Sequence, residues 1–337
     1  MSDNYSIRYL NENEFNLWDD FVEECESGSL FNKTYWLRDI YRSKKATLRI
    51  VGCFDKNNDL IAGFAFGHKR KFNIFPIIIP PSLTPINNIV FKERDTRFNS
   101  KRESYYFRVF SQIIEFLEKY YKIISFTFPI NFVDVRPFLW KNYREEIRYT
   151  YFSDISDLDN VFSNFDSDII RRIKKTKELS FQIDTGKDIT NIETFYTLQE
   201  LSFRKQHHHF QLTREQFIDF LKVLTSKEKA KVYTIHLDQK PVASHVILFD
   251  KNIAYYWLAG SDPLYLKTGI NQLLLWEAIK DIRKTGIKCF DFVGANTSTI
   301  AKYKGTYNFK LYPYFNLYKE NGILIKFLML LKPYYKL

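Results

Sequence analysis

The chain has 337 residues, 45% of them hydrophobic, which excludes intrinsic disorder and leaves room for two domains of roughly 100–200 residues each. Its formal net charge of +11 fits an anionic partner, whether a phosphorylated cofactor, a nucleotide-linked sugar, RNA or a membrane surface; it fits a lysine-rich composition with no such partner equally well. Three widely spaced cysteines, Cys25, Cys53 and Cys289, exclude a disulfide framework and a zinc-type cluster and point to a reducing compartment.

The N-terminal segment is polar and acidic, without the basic-then-apolar layout of a secretory leader. Ala46–Phe54 reads as a strand, Asp55–Asp59 as a polar turn and Leu60–Gly67 as a second strand. Pro76, Pro80, Pro81 and Pro85 exclude a helix from 73–88 and favour a stiff, extended segment, which either walls a cleft or braces a surface. Phe107, Phe110, Ile114 and Leu117 recur at helical spacing within Glu103–Tyr121, and Ile123–Phe128 reads as a buried strand.

A boundary near Thr150 divides the chain into domains 1–150 and 151–337. Helical stretches follow at Leu158–Leu179, which carries Arg171, Arg172, Lys174, Lys175 and Lys177, and at Ile192–Gln206. Then come strands Lys231–Leu237, Pro241–Phe249 and Asn252–Ala259, with a tight turn at Asp238–Lys240. A helix from Gly269 to Thr285 stops at Gly286, suited to a left-handed C-cap, and Ile287–Phe292 is a short apolar strand. The two halves repeat one order of elements, a mixed α/β (α+β) layout that points to duplicated units. No stretch reaches the roughly 18–20 apolar residues of a spanning helix. The tail Ile323–Leu331 is expected to pack on the second domain or to lie on a membrane surface as a peripheral contact.

Few residues carry chemistry. Lys267, Thr268, Gly269, Asn271 and Gln272 open the helix after a strand, where unpaired amides and the helix dipole favour phosphate; an ordinary helix start has the same pattern. Asp291 ends an apolar strand, where it either takes a proton, orients an acceptor or holds a loop. His68 and Lys69 begin a basic run, His68–Lys71, that either holds an anionic substrate or is a solvated turn. His245 reads as a hydrogen-bonded core residue, and His207–His209, after Arg204, as a polar loop with one possible base. No spacing suits a metal site, a P-loop or a nucleophile elbow.

The segment Phe290-Asp291-Phe292-Val293-Gly294-Ala295-Asn296, followed by Ile300, Tyr303-Lys304, Tyr307 and Pro313-Tyr314, resembles the signature of FemAB-like proteins and their acetyltransferase relatives. Weaker matches are Gly28–Trp36, Pro80–Ile89 and the basic Ile169–Leu179, so the resemblance covers most of the chain. Lys267 and Gly269–Asn271 are similar to the GNAT pyrophosphate loop, with Lys for Arg and Asn271 for its second small residue.

The resemblance implies two tandem GNAT (acyl-CoA N-acyltransferase) domains and attack of an amine on an activated acyl carbonyl. Acetyl-CoA or another acyl-CoA would be the co-substrate, with no metal. Lys304 would face the donor's phosphate or acyl region, and Asp291 would act beside it. His68, Lys69, Arg204 and Asn296 are the candidate substrate contacts. The acceptor would be an amino sugar, an amino acid derivative or a nucleotide-linked sugar, in a cytoplasmic, envelope-building setting. Two other readings stand beside it: an aminoacyl-tRNA-dependent transferase acting on a peptidoglycan precursor, and a non-catalytic nucleic-acid or membrane-surface binder.

Overall fold

The computed structural model describes residues 5–186, 188–205 and 212–320, with backbone alone at 203–205. The chain forms two compact units: one runs up to Ile147 and takes in the strand from Tyr314 onward, the other is Arg148–Pro313.

In the first unit β1 (Ser6–Tyr9) is followed by α1 (Phe15–Glu24) and α2 (Thr34–Ser43), then by β2 (Thr47–Phe54), β3 (Leu60–Lys71), β4 (Phe75–Ile79) and β5 (Val90–Phe91). Helix α3 (Asn99–Tyr120), β6 (Ile123–Thr127) and α4 (Arg136–Leu139) complete it. Helix α3 forms because Val109, Phe110, Ile113, Ile114 and Leu117 fall on one face, and burial of that face against β2, β3 and β6 drives the packing. Strands β4 and β6 run parallel but pair only at Ile77 and Ile123. Where they part, the proline-rich segment enters: Ile86 and Ile89 are buried, and Asn87 exchanges backbone hydrogen bonds with Thr127. The Asn87 side chain also donates to the Ala65 carbonyl at 3.0 Å. Of its two expected roles the segment takes bracing, filling the gap rather than walling it.

Strand β7 (Arg144–Asp154) leads into the second unit. There follow α5 (Leu158–Ser163), α6 (Ser167–Thr176), β8 (Phe181–Gly186), α7 (Ile189–Lys205) and α8 (Arg214–Ser226). After them come β9 (Ala230–Leu237), β10 (Lys240–Asp250), β11 (Ile253–Ser261), α9 (Ile270–Lys284), β12 (Cys289–Asp291) and α10 (Ser298–Gly305), and finally β13 (Lys310–Glu320). The hairpin between β9 and β10 turns on Asp238 and Gln239, both with positive φ, as a tight primed turn requires. The continuous helical stretch expected over 158–179 is broken. Phe165 turns into the core against Trp276 and Tyr307, and the Asn308 side chain ties the break to Asn164 and Asp166.

Apart from the short β5, element order repeats: β1-α1-α2-β2-β3-β4-α3-β6 is matched by β8-α7-α8-β9-β10-β11-α9-β12. Pairing agrees too, antiparallel up to the third hairpin strand and then parallel from β4 to β6 and from β11 to β12. The closing strands are exchanged along the chain. β7 follows the first unit but pairs antiparallel with β12, while β13 follows the second and pairs with β6 through Asn316–Glu320. A cut at Thr150 therefore leaves residues 314–320 with the wrong partners. Leu317 of β13 is fully buried in the core formed by α3, β3 and β6. Leu317→Ala is expected to cost about 2–5 kcal/mol in urea unfolding, the usual range for a core cavity; a change near zero would deny β13 a place in that core.

Candidate functional site

The second unit opens where two parallel strands part. β11 and β12 pair at Ile253–Cys289, Ala254–Phe290 and Tyr255–Asp291, after which β11 continues to Ser261 and the chain beyond Asp291 turns away. A bulge on β11 sharpens the divergence: Val246 faces Leu258 and Ile247 faces Tyr256, so Trp257 is an extra residue. A cavity of about 1100 Å³ lies beside this opening, lined by β11 from Tyr256 to Ala259 and by Tyr303 and Lys304 of α10. Its polar lining includes Asn271 and Gln272 from the first turn of α9, Gln199 of α7, and both Arg172 and Asp168 of α6.

The start of α9 has no side-chain cap, because its N-cap is Gly269, at φ 92°. The amides of its first turn therefore lack a capping side chain and suit an anion. A Cβ on Gly269 would lie 2.6 Å from Thr176 Oγ1 and 3.0 Å from the Arg172 carbonyl. The glycine thus admits α6, at a helix start that the sequence suited to a phosphate. Thr176 Oγ1 donates to the Thr268 carbonyl at 2.8 Å, fixing that packing. Lys267 and Thr268 stand beside the helix start, exposed and outside the cavity lining, whereas Asn271 and Gln272 belong to it. Arg172 reaches the same lining while paired through Nε to Asp168 at 2.6 Å.

Lys304 is 9% exposed, and its ammonium donates to three backbone carbonyls: Phe292 at 2.6 Å, Val293 at 2.9 Å and Gly294 at 2.7 Å. Burial pulls its pKa down to about 8, against the raising influence of Asp291. The three carbonyls belong to the loop that leaves β12, where Val293 and Gly294 have φ of 54° and 79°. Asp291 holds the other side of this loop: its carboxylate accepts from Thr150 Oγ1 at 2.5 Å and from Val293 N at 2.7 Å. Burial of that carboxyl raises its pKa, opposed by Thr150, Val293 and Lys304. Asn296 accepts from the Tyr149 amide at 2.8 Å. Lys304, Asp291 and Asn296 are thus gathered around one loop. His68 and Lys69 lie on β3 of the first unit, outside the lining of this cavity. Arg204 lies on α7 with its side chain outside the described residues, as do His207–His209 and the tail Ile323–Leu331.

Gln199 and Tyr256, polar groups at the cavity, were not among the residues expected from the sequence, whereas Gln272 was. Gln199 and Gln272 are 3% and 6% exposed, and the Oε1 of each has no hydrogen-bond partner among the described residues. A buried carbonyl without a partner is costly, so these two oxygens await a donor. Deeper in, His245 Nε2 lies 3.1 Å from Asn271 Oδ1 and 3.2 Å from the Tyr256 hydroxyl, and Ser261 Oγ donates to the same Asn271 oxygen at 2.7 Å. The Tyr303 and Tyr307 hydroxyls are 3.0 Å apart. Nothing in the sequence marks glutamines on two separate helices as neighbours of one cavity. His245 was legible as a core residue, and it is fully buried. Among the described residues no group of His, Cys, Asp and Glu is placed to hold a metal ion, and no helix is long and apolar enough to cross a membrane.

Burial lowers the His245 pKa to about 4, so the imidazole is neutral in the folded protein at neutral pH. The unfolded chain takes up this proton near pH 6.5, while the folded protein refuses it until about pH 4. Stability from this residue is complete above that window and is lost as pH falls through it, by on the order of 3 kcal/mol. Urea unfolding of His245→Gln on both sides of the window is expected to lack this component of acid destabilisation; the same loss in variant and wild type would contradict it.

Residues 163–310 match the family model of the acetyltransferase (GNAT) domain. Solved structures share the fold over nearly the whole chain. FemX superposes with a TM-score of 0.70 at 10% identity, covering 96% of this chain and 99% of that one. L-PGS from Bacillus licheniformis gives 0.58 at 11% identity, covering 96% of each chain. A tandem GNAT protein from the clavulanic acid biosynthesis pathway gives 0.51 at 10% identity, covering 95% and 99%. No curated protein matches the chain in sequence.

Proposed function

We propose, for an acyltransferase chain with the tandem GNAT fold whose residues 163–310 belong to the GNAT acetyltransferase domain family, that the second unit moves an acyl group, acetyl in the first instance, from acyl-CoA to an amine. The observation that carries this reading is the parting of β11 and β12 beside the uncapped start of α9. That arrangement brings an acyl chain entering between the strands close to a site for its phosphates. Arg172 and the α9 amides supply positive potential for the phosphates, with Lys267 exposed beside the helix start. Gln199 and Gln272 add polar side chains to the wall of the cavity that receives the donor.

The reaction needs no covalent protein intermediate. The amine nitrogen bonds to the acyl carbon, the C–S bond breaks, and the proton lost by the amine balances the one gained by the leaving thiolate. Tyr256 and Tyr303 place hydroxyls at the cavity, and burial raises the pKa of both, so they remain protonated and able to donate. Lys304 and Asp291 act by holding the loop at Phe292–Gly294, since all three ammonium hydrogens are engaged there. The acceptor in this reading is an amino sugar, an amino acid derivative or a nucleotide-linked sugar, in the cytoplasm.

A second reading has one observation of its own. Arg171, Lys174 and Lys175 line the outer face of α6, a basic surface on the unit that holds the cavity. The FemAB-like resemblance includes enzymes that take the acyl group from aminoacyl-tRNA, and such a face suits a polyanionic donor. An acetyl-transfer assay over a panel of amines separates the two. Wild-type protein is expected to consume acetyl-CoA, with Arg172→Ala raising the KM for the donor roughly tenfold and leaving kcat nearly unchanged, the pattern of a lost charged contact to the bound donor. Absence of any acetyl-CoA binding, with salt-sensitive tRNA binding in its place, would hand the site to the second reading.

A further inference from the structure

The hairpin joining β3 and β4 stands clear of the sheet. β2 accompanies β3 only as far as the Thr47–His68 pair, and β6 meets β4 only at Ile77. Lys69–Lys71 pair with Phe75–Ile77, and beyond His68 the β3 edge of this ribbon has no strand beside it among the described residues. At its tip Phe72 is 61% exposed and Ile74 is 67% exposed. Phe72 and Asn73 have φ of 54° and 58°, and Ile74 N bonds to the Lys71 carbonyl, so the tip is a primed turn. Such turns favour Asn and Gly, and a phenylalanine there serves neither the turn nor any core.

The charge around the tip has one sign. Lys69, Arg70 and Lys71 are consecutive, and the sequence contains no acid between Asp59 and Glu93. The Lys69 ammonium donates to the Lys44 carbonyl at 3.0 Å, and its charge, after burial, helps lower the pKa of Lys44. Lys122, exposed at the end of α3, donates its backbone N–H to the Pro76 carbonyl at 2.9 Å, adding a cation at the hairpin base. Charge of one sign around an exposed aromatic and an exposed aliphatic side chain suits a surface that is both anionic and apolar.

We propose that the hairpin tip docks on an anionic phospholipid bilayer, with Phe72 and Ile74 entering the interface and Lys69, Arg70 and Lys71 meeting the headgroups. An aromatic ring alone would also suit stacking on a nucleic-acid base. Ile74 gains nothing from stacking but gains from transfer into the acyl boundary, and that favours a bilayer. The inference does not depend on which acyl donor the second unit uses.

The test is co-sedimentation of the full chain with vesicles of phosphatidylcholine alone and of phosphatidylcholine doped with phosphatidylglycerol, at low and high salt. Wild-type protein is expected to bind the doped vesicles, less so in high salt, and to leave the neutral ones. The double variant Phe72→Asn, Ile74→Thr is expected to bind roughly tenfold more weakly or worse, from lost apolar insertion. Its melting temperature should be equal or higher, because Asn suits the turn. Arg70→Gln with Lys71→Gln is expected to lose a similar roughly tenfold factor, as two headgroup contacts disappear. Failure of wild type to bind doped vesicles, or undiminished binding by the tip variant, would overturn the proposal. So would binding of RNA and not of vesicles, which would make the patch a nucleic-acid surface.

Discussion

The second unit depends on one buried ammonium. Lys304 reaches from α10 to three successive carbonyls at the end of β12. Without that cation the Phe292–Gly294 loop would present three converging carbonyl dipoles with no common donor, an arrangement that costs free energy when buried. With it, the chain leaves β12 at a fixed angle, two residues in left-handed backbone included, and cannot run on alongside β11. The gap between the strands is therefore built into the fold. Asp291 completes the arrangement from the other side through Thr150 and the Val293 amide.

The two units show what such a gap becomes when its ends differ. Apart from the short β5 of the first, both have strand, two helices, three strands, helix and strand in that order. In the first the connection from β4 to α3 runs from Pro80 to Phe98, long enough to fold back and pair Asn87 with Thr127 across the opening. In the second the connection from β11 to α9 is only Asp262 to Gly269, and α6 packs beside it through Thr176. A short connection cannot fill the gap, so the cavity persists. Gln199, Gln272, Tyr256 and Tyr303 line it beside Asp168, Arg172, Asn271 and Lys304.

Much of this was legible in the sequence, and the failures share a cause. Hairpins, the long helices and the parallel strands after them are set by alternation, by helical spacing and by Gly286, all local signals. The duplication was visible because it repeats those same signals. The exchange of β7 and β13 was not, since strand partners are chosen by tertiary packing and neither strand states its neighbour. The break at Asn164–Asp166 was hidden for a similar reason: Phe165 leaves the helical pattern to fill a hole beside Trp276 that only the folded core defines. At the site, the motif around Asp291 and Lys304 stood out, yet a lysine aimed at a ligand and a lysine clamping a loop read identically in sequence. Gly269 stood out as well, and its space is taken by α6.

The most direct measurement is hydrogen exchange at 292–296 in Lys304→Met, read together with donor binding. If Lys304 acts by holding the loop, amide exchange there rises by orders of magnitude, protection in β9 and β10 is unchanged, and donor binding weakens in step. Retained protection and donor binding, with acyl transfer alone abolished, would contradict this and place Lys304 on the reacting atoms themselves.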